Sequence, residues 1–275
     1  MVTRDHGGNL DAAIRAWGGA AADWIDLSTG INRVPWPLPA LDDADWRNLP
    51  TRAAIASLHE AARAAWGVSG AILATSGAQG AIQMVPRLSP PGRARVLSPT
   101  YNEHAAALRA AGWQVEDVPG LAALAGADLA VVVNPNNPDG RRFAPADLLA
   151  LAGQVGRLVV DESFADPQPA WSLAGQTGRE GLLVLRSFGK FYGLAGLRLG
   201  FVLGSRADIA ALADMAGPWP VSGPAIAIGR AALADRAWAE ATTARLTAEA
   251  ARLDALAEGA GWKPLGGCEL FRLYD

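Results

Sequence analysis

The chain has 275 residues, 51% of them hydrophobic and 19% charged, with a formal net charge of −3. That is enough for a large core, as one large domain with a smaller appendage, and the charge balance suits neither nucleic acid nor an anionic membrane, so an anionic ligand must be held by local arginines and backbone amides. The single Cys268 excludes an intrachain disulfide and a cysteine-cluster metal site, His6, His59 and His104 lack ligand spacing, and there is neither a signal-peptide core nor a membrane-length apolar run. A soluble cytoplasmic protein without metal is expected.

Residues 1–52 are rich in Gly, Pro and Trp and read as an irregular arm laid over the rest, with Asp26–Asn32 its one strand-like piece. From Ala53 to Trp66 the apolar positions Ile55, Leu58, Ala62, Ala65 and Trp66 follow helical spacing. A strand at Ala71–Ala74 runs into a helix at Gly77–Leu88. Then come a strand at Arg95–Leu97, a helix at Glu103–Ala111 and a strand at Gln114–Val118. The buried strand Leu129–Val133 ends in the turn-rich run Asn134–Gly140, helix Pro145–Ala152 follows, and strand Arg157–Val160 ends at Asp161-Glu162. Strands Leu182–Arg186 and Leu199–Leu203 precede three helices, Ala207–Met215, Gly223–Ala234 and Ala237–Gly259, with Pro218 and Pro220 separating the first two. The alternation implies an α/β fold with a mostly parallel sheet. The expected organisation is an arm and lid over 1–52, a large ligand-binding domain over 53–220, and interdomain helices with the start of a small α+β domain over 221–275.

In such sheets ligands sit beyond the carboxyl ends of the strands, and Asn137, Asp161, Ser187 and Lys190 all follow predicted strand ends. The segment Ser187-Phe188-Gly189-Lys190, with Arg198 eight residues on, is the most informative. A lysine in that Gly-rich turn can form a Schiff base while the serine and arginine hold an anion, which is what an enzyme using pyridoxal 5′-phosphate (PLP) needs. Asp161 can keep a pyridine nitrogen protonated. The amide of Asn137 can donate to a phenolic oxygen, whereas Asn136 reads as structural. Gly77 and Ala78, at a helix N-terminus, offer free N–H groups to a phosphate. Tyr101 can stack on a ring face. Taken singly, each has a plainer reading: a solvated lysine, a strand-end cap, a turn former, an ordinary Ser-Gly helix start, a core aromatic.

Taken together, Asn137 in Asn-Pro-Asp-Gly, Asp161 24 residues later and Lys190 a further 29 on, followed by Arg198, resemble the PLP-dependent aminotransferase superfamily of fold type I, class I/II, over nearly the whole chain. The resemblance implies that Lys190 carries the Schiff base, Asp161 pairs with the pyridine nitrogen and Asn137 contacts the phenolic oxygen. It also implies a homodimer with the active site at its interface. Within the superfamily, His6-Gly7-Gly8-Asn9, Asp26–Asn32 and Asp161–Pro167 are similar to the L-threonine-O-3-phosphate decarboxylases of cobalamin biosynthesis. The sister family, histidinol-phosphate aminotransferase, usually has Tyr three residues past the aspartate, where this chain has Phe164. The resemblance implies decarboxylation of a phosphorylated amino acid, with His6 and Asn32 among the substrate-binding groups. The alternatives are an aminotransferase and an inactive remnant. A ligand-sensing transcription regulator, which would carry a DNA-binding domain ahead of the first motif at His6, is not expected.

Two departures stand out. Many relatives carry Tyr-Pro near Leu49-Pro50, the tyrosine reaching the partner's cofactor phosphate, and Leu49 cannot do so. The family's small domain also continues past a strand like Gly266–Leu273 to an arginine that grips the substrate carboxylate. A truncated chain is therefore expected, with Arg272 on the strand and not at that site.

Overall fold

The computed structural model describes residues 6–275. In chain order the elements are helices α1 (Leu10–Trp17), α2 (Asp43–Arg47) and α3 (Arg52–Trp66), strand β1 (Ala71–Ser76), helix α4 (Gly77–Met84), strand β2 (Arg93–Leu97), helix α5 (Glu103–Ala110), strands β3 (Gln114–Val118) and β4 (Leu129–Val133), and helix α6 (Pro145–Ala152). They continue with strands β5 (Leu158–Asp161) and β6 (Leu182–Ser187), the single turn α7 (Phe188–Phe191), strand β7 (Leu199–Gly204), helices α8 (Arg206–Ala216), α9 (Gly223–Ala234) and α10 (Arg236–Gly259), and strands β8 (Pro264–Cys268) and β9 (Phe271–Tyr274).

Seven strands form one sheet in the order β1-β7-β6-β5-β4-β2-β3, parallel except for β7, which runs against both β1 and β6. The central strands are apolar and buried on both faces, as parallel strands covered by helices must be. Alternation sorts their side chains. Val132, Val160 and Val184 join the core under α3, α6 and α9, while Val131, Val159 and Leu183 join the core under α4, α5 and α8. The result is a three-layer α/β/α domain, with β8 and β9 forming a separate antiparallel pair packed on α10. Among the described residues no helix is long and apolar enough to cross a membrane.

The sheet register gathers the residues of interest. Val133 pairs with Asp161 and Asp161 with Leu185, so β4 and β5 end level and β6 runs two residues further, to Ser187. Ser76 at the end of β1 faces Leu199 at the start of β7, and Ser187 faces Gly200. Gly77, Asp161, Ser187 and Arg198 therefore meet at one end of the sheet. Just behind it, Arg186 is buried with Glu162 (2.9 Å) and Asp166 (2.6 Å), its guanidinium 4.6 Å from the centre of the Trp66 ring. This pairing anchors β5 to β6 beneath the site.

Three expectations need correction. The arm is not wholly irregular: Asn9 caps α1 through a side-chain bond from Ala12 N–H, although no residue of α1 is buried. Asp26–Asn32 forms no strand. Asp26 instead bonds the backbone (2.8 Å) and hydroxyl (2.5 Å) of Ser28, a local turn that competes with extended pairing. The single strand read at Gly266–Leu273 is a hairpin turning at Glu269-Leu270, and Arg272 in β9 is held by Asp254 of α10, with Tyr274 donating to the same carboxylate at 2.9 Å.

Candidate active site

One cavity opens at this end of the sheet, and Gly77, Ala78, Tyr101, Asn137, Asp161, Ser187, Lys190 and Arg198 all line it, with Gln79, Ser163 and Phe164. Each arrives from a strand end or a turn beside it, so residues far apart in sequence converge because strands β1, β2 and β4–β7 share one sheet.

Asp161 is 2% exposed. Its Oδ1 accepts from the Ser163 N–H (2.9 Å) and hydroxyl (2.5 Å), and its Oδ2 lies 2.8 Å from Nε2 of His104. Burial alone pushes its carboxyl up, but the bond and charge of His104 and the two bonds from Ser163 outweigh that and hold it below the ordinary value. An acid that stays ionised in the floor of a cavity suits the protonated nitrogen of a heteroaromatic ring.

Lys190 points its amine over Phe164, 5.5 Å from the ring centre. Burial lowers its pKa, the charge of Asp161 opposes the shift and that of Arg198 adds to it. The amine is thereby easier to obtain in its neutral, nucleophilic form. Burial, followed by the charges of Glu103 and Asp161, raises the Tyr101 phenol, which keeps the ring neutral.

The anion end is built by backbone geometry. Gly77 has φ +68°, and a Cβ placed there would fall 2.6 Å from a terminal nitrogen of Arg198. Its N–H donates to the Arg198 carbonyl at 2.9 Å, and Arg198 itself takes the left-handed conformation at φ 55°. The guanidinium is thus laid across the N-terminus of α4, where free amides and the helix dipole already favour an anion. Asn136 is buried and spent on structure, bonding the Pro99 carbonyl (3.0 Å) and Asp139 (2.8 Å).

Asn32 does not line the cavity. Its Nδ2 donates to the Phe191 carbonyl (2.9 Å) and its Oδ1 accepts from Val34 N–H (3.1 Å) and Arg245 (2.7 Å), so its amide faces the protein, not a substrate. His6 lies beside the cavity, 3.0 Å from Glu103 and with its ring 6.1 Å from that of Tyr101. Gly30 brings the arm down onto Phe164, since a Cβ there would sit 2.9 Å from that ring.

Sequence reading noted only that His104 lacks metal-ligand spacing, whereas it is 4% exposed against Asp161. The signal was its spacing from Tyr101: three residues apart at a helix start places both over the same strand end. It also missed Glu103 and Gln79, joined at 2.8 Å beside the cavity.

The fold and cavity together define a class, an α/β protein with a buried lysine and an ionised aspartate at the strand ends and an anion cradle between them. The sequence model of Aminotransferase class I and II matches residues 22–274, and the chain belongs to that family. It is 45% identical to a threonine-phosphate decarboxylase from Sinorhizobium sp. and 46% identical to one from Pseudomonas aeruginosa, each match covering 98% of this chain and 83% of the relative. Among solved structures, histidinol-phosphate aminotransferase from Sinorhizobium meliloti in complex with PLP superposes with a TM-score of 0.74 at 22% identity, over 81% of this chain and 66% of that one. The last likeness speaks to the fold alone.

Proposed function

We propose that the chain is a PLP-dependent lyase that decarboxylates L-threonine O-3-phosphate to 1-amino-2-propanol O-2-phosphate in cobalamin biosynthesis. The observation that carries this reading is its 45–46% identity to threonine-phosphate decarboxylases over 98% of its length.

The residues present fit the cofactor. A lysine with a lowered pKa, a carboxylate held ionised, and a cradle that a Cβ at Gly77 would fill all face one cavity. In this reading Lys190 is the covalent anchor, Asp161 holds a proton on the pyridine nitrogen and Asn137 contacts the phenolic oxygen. Ala78, Ser187 and Arg198 hold the phosphate, Gly77 leaves the room that a Cβ would fill, and Tyr101 covers the ring. When bound, PLP supplies an electron sink for the pair left on the α-carbon as the carboxylate departs. The protein's own work is selection. The bond that breaks is the one aligned with the ring's π system, so the side chains that orient the substrate decide whether CO₂ or the α-proton leaves. In a balanced turnover, CO₂ is lost and one proton takes its place on carbon. Phe164, which cannot donate a hydrogen bond, replaces the tyrosine usual in the aminotransferases, and its place under the arm suits an apolar wall. His6 is proposed as a substrate-phosphate ligand.

The enzyme is proposed to work as a cytoplasmic homodimer. Trp46, Leu49 and Trp219 are exposed around a depression that also includes Arg198, an arrangement suited to burial against a second copy beside the phosphate site.

Arg198→Ala is expected to weaken PLP binding by roughly ten- to a hundredfold, the worth of one charge-assisted hydrogen bond, as read by equilibrium titration of the cofactor's absorbance. The reaction class is tested by supplying a 2-oxo acid acceptor with each amine donor. No amino acid should form from the acceptor with threonine phosphate, and its formation with histidinol phosphate would move the assignment to an aminotransferase.

A further inference from the structure

The turn that carries Lys190 is only four residues long, and so short a helix leaves its last carbonyls short of partners: the Gly193 N–H reaches the Lys190 carbonyl at 3.2 Å, and the rest come from elsewhere. The arm supplies them. Asn32 N–H donates to the Lys190 carbonyl (3.0 Å), Asn32 Nδ2 to the Phe191 carbonyl (2.9 Å) and Trp36 N–H to the Tyr192 carbonyl (2.9 Å). Gly193, next in sequence, has φ +69°, and a Cβ there would fall 2.7 Å from the Asn32 carbonyl oxygen. Three successive carbonyls, from the lysine on, are thus fixed by a segment more than 150 residues distant in sequence.

The orientation of the Asn32 amide is also dictated. The Val34 N–H (3.1 Å) and the Arg245 guanidinium (2.7 Å) can only donate, and both address Oδ1. Nδ2 must then face Phe191. Arg245 lies on α10 and is held in turn by Glu249 at 2.7 Å. Asn32 is 4% exposed, so its bond to the Phe191 carbonyl is shielded from water.

We infer that Asn32 is a positioning residue for Lys190: its buried amide, locked in one orientation by Arg245 and Val34, fixes the backbone turn that aims the lysine into the cavity. This inference rests on the reading of Lys190 as the cofactor's anchor. It assigns Asn32 a role different from substrate contact.

The chain has two lysines, Lys190 and the exposed Lys263, so the reactivity of one can be read against the other without any cofactor. Two substitutions separate the functions of the amide. Asn32→Asp keeps an acceptor for Val34 and Arg245 but loses the N–H aimed at Phe191. Asn32→Leu loses both and adds no charge. Labelling of cofactor-free protein with acetic anhydride, resolved by mass spectrometry, gives the Lys190 to Lys263 ratio, and the rate of covalent PLP capture and the melting temperature are recorded beside it. Both variants are expected to raise the labelling ratio about threefold or more and to slow capture about tenfold, since a misplaced reacting group is costly. Asn32→Asp should melt near the wild type. If Asn32→Asp labels and captures like the wild type, Asn32 only ties the arm to α10 and the inference is overturned. If Asn32→Leu alone matches the wild type, the effect of Asn32→Asp is its charge and the inference also falls. Should Asn32→Leu not fold, the Asn32→Asp result decides. A wild-type protein that captures no PLP would overturn the functional reading, and the labelling ratio would still decide this one.

Discussion

Lys190→Ala is expected to abolish covalent attachment of PLP and to lower turnover by at least about a thousandfold, in the upper range for loss of a group that both bonds and transfers protons. Borohydride reduction of the PLP-loaded protein followed by mass spectrometry checks the first part. The wild type should gain one cofactor on the peptide containing Lys190 and none on the peptide containing Lys263. The contrast follows from environment. Lys190 is buried beside Phe164 with its pKa lowered, while Lys263 is exposed. Equal labelling of the two lysines, or retention of bound cofactor by Lys190→Ala after reduction, would contradict the assignment.

Asp161→Asn is expected to lower turnover by about a hundred- to ten-thousandfold, because a neutral amide cannot hold a proton on the pyridine nitrogen by charge. It also removes the charge facing His104 in a buried site, at a cost of about 1–3 kcal/mol. The pH dependence gives a second check. The folded-state pKa of Asp161 lies below its unfolded value, so the carboxylate's contribution to stability is fully present above the ordinary value near 3.8 and is lost as pH falls through the depressed one. Chemical denaturation should therefore show the wild type ahead of Asp161→Asn at pH 7, with the gap narrowing below about pH 4. A gap that stays constant down to pH 2 would mean that Asp161 is not ionised in the folded protein.

Much of this site can be read from sequence because it is made of strand ends. Val131-Val132, Val159-Val160 and Leu183-Val184 lie in short unbroken apolar runs bounded by turn residues, the lengths and flanks that mark strands covered on both faces. Once those strands are placed, the turns after them fall on Asn137, Asp161 and Lys190. Secondary structure between residues 52 and 259 was legible for the same reason, with most ends shifted by one or two residues, and the helix expected to reach Leu88 stopping four residues earlier at Met84, where a short 3₁₀ turn takes over. The arm was not. α1 has no buried face, so no core periodicity marks it, and Asp26 spends its side chain on a local turn that hydrophobic pattern does not record. The hairpin at the end of the chain was hidden because Gly266 and Gly267 have no side chains to alternate.

His104 and Asn32 show a different kind of gap. Each is defined by a partner far away in sequence, Asp161 for one and the Lys190–Phe191 backbone for the other. Residue type alone names neither partner, and the resemblance implied a substrate ligand for Asn32. Only the packing of α5 over the end of β5, and of the arm over α7, reveals that both act on other protein groups.

The central claim is tested most directly by incubating the PLP-loaded protein with L-threonine O-3-phosphate labelled at the carboxyl carbon. The account predicts labelled CO₂ and 1-amino-2-propanol O-2-phosphate in equal amounts, and neither with Lys190→Ala. Covalently bound PLP with no CO₂ released from this substrate would contradict it.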